Sequence, residues 1–305
     1  MRDHIGARPW LLPHLLAVVA VVGLAGSLLS ITADQQPAQP LAPKPGALRA
    51  RGDGVIVDWS DAPAAEAEAR HALGQSEQWV VEIEQILFED RPAASRPIEV
   101  RFNGDARIGD PPRYRVPHVD ARGVVQLYRY GPSHVAALPH ELVHAVLRRQ
   151  GVPYPGFDEE GLANWVAHRL RPSFPGFPAY DHPLELIVGH WHEVGARIPL
   201  ATLRERQREL NLKCSFQAYP LRASFFLYLG DRFGDDPMRA FARSMGQVDV
   251  YQRLFGASLE ELEQRWLDVV LADYERLEGR EALRQSYLRQ PAISSAYVCT
   301  PGVDF

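Results

Sequence analysis

The sequence predicts an α+β domain, with a small sheet built early in the chain and an almost wholly helical second half. Three observations point there. Short β-type segments occur only between residues 55 and 130. One long stretch among them carries apolar side chains at helical spacing. Beyond residue 133 the apolar pattern is helical throughout.

The chain opens with Arg2 and Arg8, then a charge-free apolar run from Leu15 to Ile31. At 1.5 Å per residue a helix of that length spans roughly 25 Å, close to the lower limit for a bilayer core. Residues 1–33 read as an uncleaved signal anchor or as a secretory signal peptide cut after Ser27 or Ala33. The anchor is preferred, because the small-residue cleavage site is poor. Both readings export the remainder to the cell envelope. It is then either anchored in the inner membrane with a periplasmic domain or secreted. Residues 34–50 are rich in Pro, Ala and Gln and read as a linker. The folded domain is expected over 51–290, with 291–305 as a tail.

Val55–Trp59 reads as a strand, and Asp61 with Pro63 marks a helix start. Leu73, Trp79, Val80, Ile83, Ile86 and Leu87 then recur at helical spacing, which predicts a long amphipathic helix against the sheet. Ile98–Phe102 and Gly123–Tyr130 are the second and third expected strands, separated by a Pro-rich loop at 110–117. Helices are expected to start near Ser133, Asp158, His182, Pro199, Tyr219, Asp236 and Ser258. Asp236 before Pro237 reads as an N-cap, and Ser258 with Glu261 as a capping box.

Bulk properties narrow the function. A formal net charge of −5 and the lack of any Lys/Arg block give no footing for a nucleic-acid partner. Two cysteines, Cys214 and Cys299, are too few for a Cys-rich zinc module. Spacing leaves open whether they pair or are two separate buried thiols.

The chemistry is concentrated in His140-Glu141-Leu142-Val143-His144. On a helix, positions i and i+4 share a face, so two imidazoles there converge on one Zn²⁺. Glu141 sits beside the metal without binding it and can act as general base on a zinc-bound water. Gly151 and Pro153 are expected to end the helix. Pro139 either kinks a helix running from Ser133 or opens a new one. Both alternatives keep His140 and His144 on one face.

Catalytic zinc needs a third protein ligand and one open position. Glu160 follows His144 by sixteen residues, within Phe157-Asp158-Glu159-Glu160-Gly161-Leu162-Ala163-Asn164-Trp165. Asp158 and Glu159 are accounted for as cap and dipole complement at a helix start. Small Gly161 and Ala163 permit close helix packing. Asn164, one turn after Glu160, is a candidate to orient a ligand.

HELVH followed by EEGLANW resembles the HExxH…EGLA pattern of the gluzincin zinc metallopeptidases, especially the compact bacterial peptidase MA-like domains. Looser similarity continues at Ile198-Pro199-Leu200, at Ala218-Tyr219 leading into 224–229, and at 258–266, so that it covers roughly 52–275. The resemblance implies a zincin-like fold: a small N-terminal sheet with a long helix, an active-site helix, and a helical C-terminal subdomain. It implies zinc held by His140, His144 and Glu160, with Glu141 catalytic. Tyr219 falls near where related enzymes place a residue that steadies the transition state.

The expected function is hydrolysis of peptide bonds in a peptide or protein substrate. Two rivals stay open: a non-catalytic envelope binding protein that retains the fold, and a zinc hydrolase of a non-peptide amide. Glu141 weighs against the first, since a pure binding scaffold has no use for that carboxylate. The Gly123–Tyr130 strand is expected at a sheet edge, where an extended peptide could add. His182, His190 and His192 read as helical and not as a metal site. His118 and His134 read as loop or cap residues.

Overall fold

In the computed structural model, the described residues are 48–89, 96–103, 117–128, 135, 137–152, 156–171 and 182–289. The apolar run at 15–31, most of the linker, Ser133, His134, Pro153, Cys299 and the tail 291–305 lie outside them. Among the described residues no helix is long and apolar enough to cross a membrane.

The architecture is α+β, mostly helical, with one five-stranded sheet. Strands β1 (Arg49–Arg51), β2 (Val55–Asp58), β3 (Ile98–Phe102), β4 (His118–Val119) and β5 (Val125–Leu127) lie in the order β1-β2-β3-β5-β4. The pairs β2–β3 and β3–β5 are parallel, and the two outer pairs are antiparallel. β1 corrects the expected linker boundary, since Arg49 and Ala50 already pair with Asp58 and Val57. β4 corrects the expected loop assignment of His118. Here Asp120 folds a tight hairpin by accepting from the backbone N–H of Arg122 at 2.9 Å and Val124 at 3.1 Å. The third expected strand is not an edge. β5 is bonded to β3 on one side and β4 on the other, so β4 is the edge on that side among the described residues.

Helix α1 (Glu66–Phe88) follows a 3-10 turn at Pro63–Ala65 and lays Trp79, Val80, Ile83 and Leu87 on the core. β3 alternates buried and half-buried residues, so Ile98, Val100 and Phe102 point inward. Helix α2 (Leu138–Arg149) carries the HELVH segment. Its first ten residues are all buried, which places this helix inside the molecule and not on it. Pro139 lies in the first turn, where its missing N–H has no intrahelical partner to lose. Gly151, with φ of +71°, follows the helix end. Arg149 ties that end to α1 through Glu84 at 2.7 Å.

Then come α3 (Phe157–Leu170), α4 (Leu184–Glu193), α5 (Leu200–Glu205), α6 (Gln207–Lys213), α7 (Ser215–Phe233), α8 (Asp235–Ser244), α9 (Val250–Phe255), α10 (Leu259–Arg276) and α11 (Arg280–Leu288). Three starts differ from expectation. Helix α3 is N-capped by Gly156, not by Asp158. Helix α8 is preceded by Gly234, leaving Asp236 inside the first turn and paired with Arg239. Helix α7 begins at Ser215 and carries Pro220 internally, because the turn closed onto the Cys214 carbonyl precedes it. The Ser258–Glu261 capping box is present at α10. Cys214 is fully buried and disulfide-bonded.

Helix α7 runs beside α3 at close range. A Cβ on Gly161 would come within 2.1 Å of the Phe226 ring, and one on Gly230 within 2.0 Å of the Trp165 indole. The two contacts advance together along both helices, so α3 and α7 point the same way. Glycine at these positions sets the interhelical distance.

Candidate metal centre

Two helices build the centre. Helix α2 presents His140 and His144 from one face, and the first turn of α3 presents Glu160 opposite them. One donor atom from each of the three lies within 4.8 Å of the others. The two imidazole Nε2 atoms are 3.0 Å apart. Glu160 Oε2 lies 3.3 Å from His140 Nε2, and Glu160 Oε1 lies 3.9 Å from His144 Nε2. Donors each about 2.0–2.1 Å from a tetrahedral ion sit about 3.3 Å apart. The observed separations bracket that value.

The Glu160 carboxylate adds to this. Glu160 Oε2 is buried and forms no hydrogen bond. A buried carboxylate oxygen without a donor is costly unless something else binds it. Set between two imidazoles, that partner is a cation. Residues His140, His144 and Glu160 can therefore hold a metal ion.

The electrostatics follow from burial and crowding. Burial disfavours charge on His144, but Glu159 bonded to it and the carboxylates of Glu160 and Glu141 raise its pKa to about 9. Burial pushes Glu160 up, yet the adjacent His140 and His144 hold it down to about 2. Glu141 is lifted above the ordinary carboxylate range by burial, opposed by the two imidazoles. It is within electrostatic reach of His140, His144 and Glu160 and is not one of the grouped donors. Tyr219 is half-buried on α7. Burial first, and the charges of Glu160 and Glu141 after it, push its phenol above the ordinary value. It is thus a protonated hydroxyl within the field of the centre.

The consecutive acids Asp158, Glu159 and Glu160 do three different things. Glu159 Oε1 accepts from His144 Nδ1 at 2.7 Å, with both side chains buried. This contact corrects the reading of Glu159 as a dipole complement. Asp158 is fully buried and accepts from the Tyr251 hydroxyl at 2.7 Å, with Arg204 at 3.4 Å. Asn164 donates to the Glu160 backbone carbonyl at 2.9 Å, so it steadies the helix turn and leaves the carboxylate alone. The edge-strand residue His118 also contributes to the field at Glu141. No spacing rule singles it out, because the sheet brings it there.

His182, His190 and His192 stay apart from this group. His190 is buried on α4 in a satellite cluster with Trp191 and Tyr287, and His182 packs 5.7 Å from the Tyr287 ring. A cavity of about 460 Å³ opens between α5, α9 and α10, lined by Arg204, Tyr251 and Glu260 among others. None of the metal-centre residues lines it. No protein-family model matches the chain, and neither a curated protein nor a solved structure matches it.

Proposed function

We propose that this chain is a zinc-dependent metallopeptidase with a zincin-like fold, hydrolysing peptide bonds outside the cytoplasm. The observation that carries the reading is the convergence of the His140, His144 and Glu160 donor atoms, with Glu141 within electrostatic reach of all three. Two nitrogens and one oxygen form a donor set suited to zinc.

Zinc bound there supplies a Lewis acid that lowers the pKa of water toward neutrality. Glu141 takes the proton from the attacking water and returns it to the leaving amine. Tyr219, kept protonated, donates a hydrogen bond where negative charge develops on the scissile carbonyl oxygen. Among the described residues β4 ends the sheet, and an extended peptide adds along it by strand addition, the role first expected of β5. The apolar run at 15–31 supports an envelope location.

The test measures zinc content and cleavage of fluorescein-labelled casein for wild type and Glu141→Gln. The expected result is equal zinc in both and cleavage by wild type alone. Equal cleavage by the two proteins, or wild type inert with zinc bound, rejects the reading.

A further inference from the structure

Arg222 lies on α7, one helical turn after Tyr219, and is fully buried. A buried guanidinium is normally matched by a carboxylate, because stripping its water is costly. Among the described residues no carboxylate forms an ion pair with it. Its Nη2 donates to Asn211 Oδ1 on α6 at 2.7 Å. Its Nε and Nη1 make no hydrogen bond. Its Cζ lies 4.5 Å from the centroid of the Tyr219 ring.

That pattern is a poor way to stabilise a core. An apolar side chain of similar volume would pack there without orphaned donors. Its contacts run to Tyr219, over the ring and to the phenol side chain, and to Asn211. Its charge also acts on Glu160 and Tyr219. Tyr219, Arg222 and Phe226 fall at i, i+3 and i+7 on α7 and so share one side of the helix. Phe226 is fixed against Gly161, the residue after Glu160. The stripe that docks α7 on α3 thereby carries Arg222 and Tyr219 alongside the start of α3, where Glu160 lies.

We propose that Arg222, anchored by Asn211, is a positioning residue that clamps the Tyr219 ring against the metal centre. A flat cation lying on the ring restricts its tilt, and the hydrogen bond to Asn211 keeps the cation from swinging away. The catalytic consequence rests on the metallopeptidase reading. The clamp itself does not.

The experiment places 3-fluorotyrosine at position 219 of the full chain and reads its ¹⁹F line with and without zinc chloride. It compares wild type with Arg222→Met, Arg222→Lys and Asn211→Ala. Casein cleavage is measured on the unlabelled forms. The expected wild-type line is narrow and shifts on zinc loading. In Arg222→Met and Asn211→Ala it broadens or splits, in metal-free protein as well. Cleavage kcat falls about a hundredfold, with KM and zinc content unchanged. Arg222→Lys broadens the line too, since an ammonium attracts the ring face but lacks the plane that stacks on it and the fork that reaches Asn211 at the same time. In a Tyr219→Phe background, Arg222→Met lowers kcat no further, an outcome that simple loss of stability does not produce. A line unchanged in Asn211→Ala and Arg222→Lys overturns the proposal, as does an equal loss of kcat in both Tyr219 backgrounds. Should Arg222→Met fail to fold, the other two variants decide. Should wild type bind zinc and cleave nothing, the peptidase reading falls, while the ¹⁹F line still decides the clamp.

Discussion

Glu159 holds His144 from behind: its Oε1 sits 2.7 Å from Nδ1, on the side of the ring away from the metal position. An N–H donated there fixes the tautomer and leaves the Nε2 lone pair facing Glu160 and His140. Glu159→Ala is expected to weaken zinc binding about 10–100-fold, measured by competition with a chelator. Glu159→Gln keeps an acceptor for Nδ1–H and loses less. Unchanged affinity in Glu159→Ala would mean that packing alone aligns the ring.

Gly161 and Phe226 set the distance between α3 and α7. A methyl group at 161 meets the ring at 2.1 Å, inside any tolerated contact. Gly161→Ala is therefore expected to cost about 1–3 kcal/mol in urea unfolding, outweighing the helix propensity that alanine adds. Phe226→Leu in the same chain should recover part of the loss. A stabilised Gly161→Ala protein would show that the helices are free to separate.

Asp158 is buried, and its carboxyl is raised by burial against the pull of Arg204 and of Tyr251 bonded to it. Tyr251→Phe removes a 2.7 Å donor and leaves a buried acceptor short of a partner. The expected loss is about 1–3 kcal/mol of stability, read from thermal unfolding. Arg204, at 3.4 Å, offsets only part of it. A Tyr251→Phe protein as stable as wild type counts against this bond as a tie between α9 and the metal-bearing turn.

His190 supplies a pH dependence outside the metal centre. Burial, then the nearby Arg284, lowers its pKa below the ordinary value of about 6.5. The folded state thus prefers neutral imidazole. That stability is present above about pH 6.5 and is lost as pH falls from there through the lower folded value. The NMR titration midpoint of His190 should lie below that of an unfolded His. The stability lost between pH 7 and pH 5 should shrink in His190→Leu. An unshifted midpoint would place the ring in solvent.

Much of the centre was readable as sequence because α-helical geometry is local. An i, i+4 pair of histidines meets on one face whatever surrounds it, and the small residues after Glu160 announce a close neighbour. The short strands were less legible. β4 has two residues and β1 three, too few for any periodicity to register. The hairpin formed by Asp120 and Gly123 is the local signal that points to β4.

The sequence by itself determined the α+β order of elements, through the change of apolar period along the chain, and the pairing of His140 with His144, through spacing within one helix; Glu160 it singled out only by resemblance. Tertiary structure alone decided which of Asp158, Glu159 and Glu160 faces the histidines. Consecutive helical residues project about 100° apart, and nothing local says which direction holds His144 and which Tyr251. It alone also decided that β4 is an edge strand and that Arg222 reaches Asn211. Those relationships join residues from elements that only packing brings together.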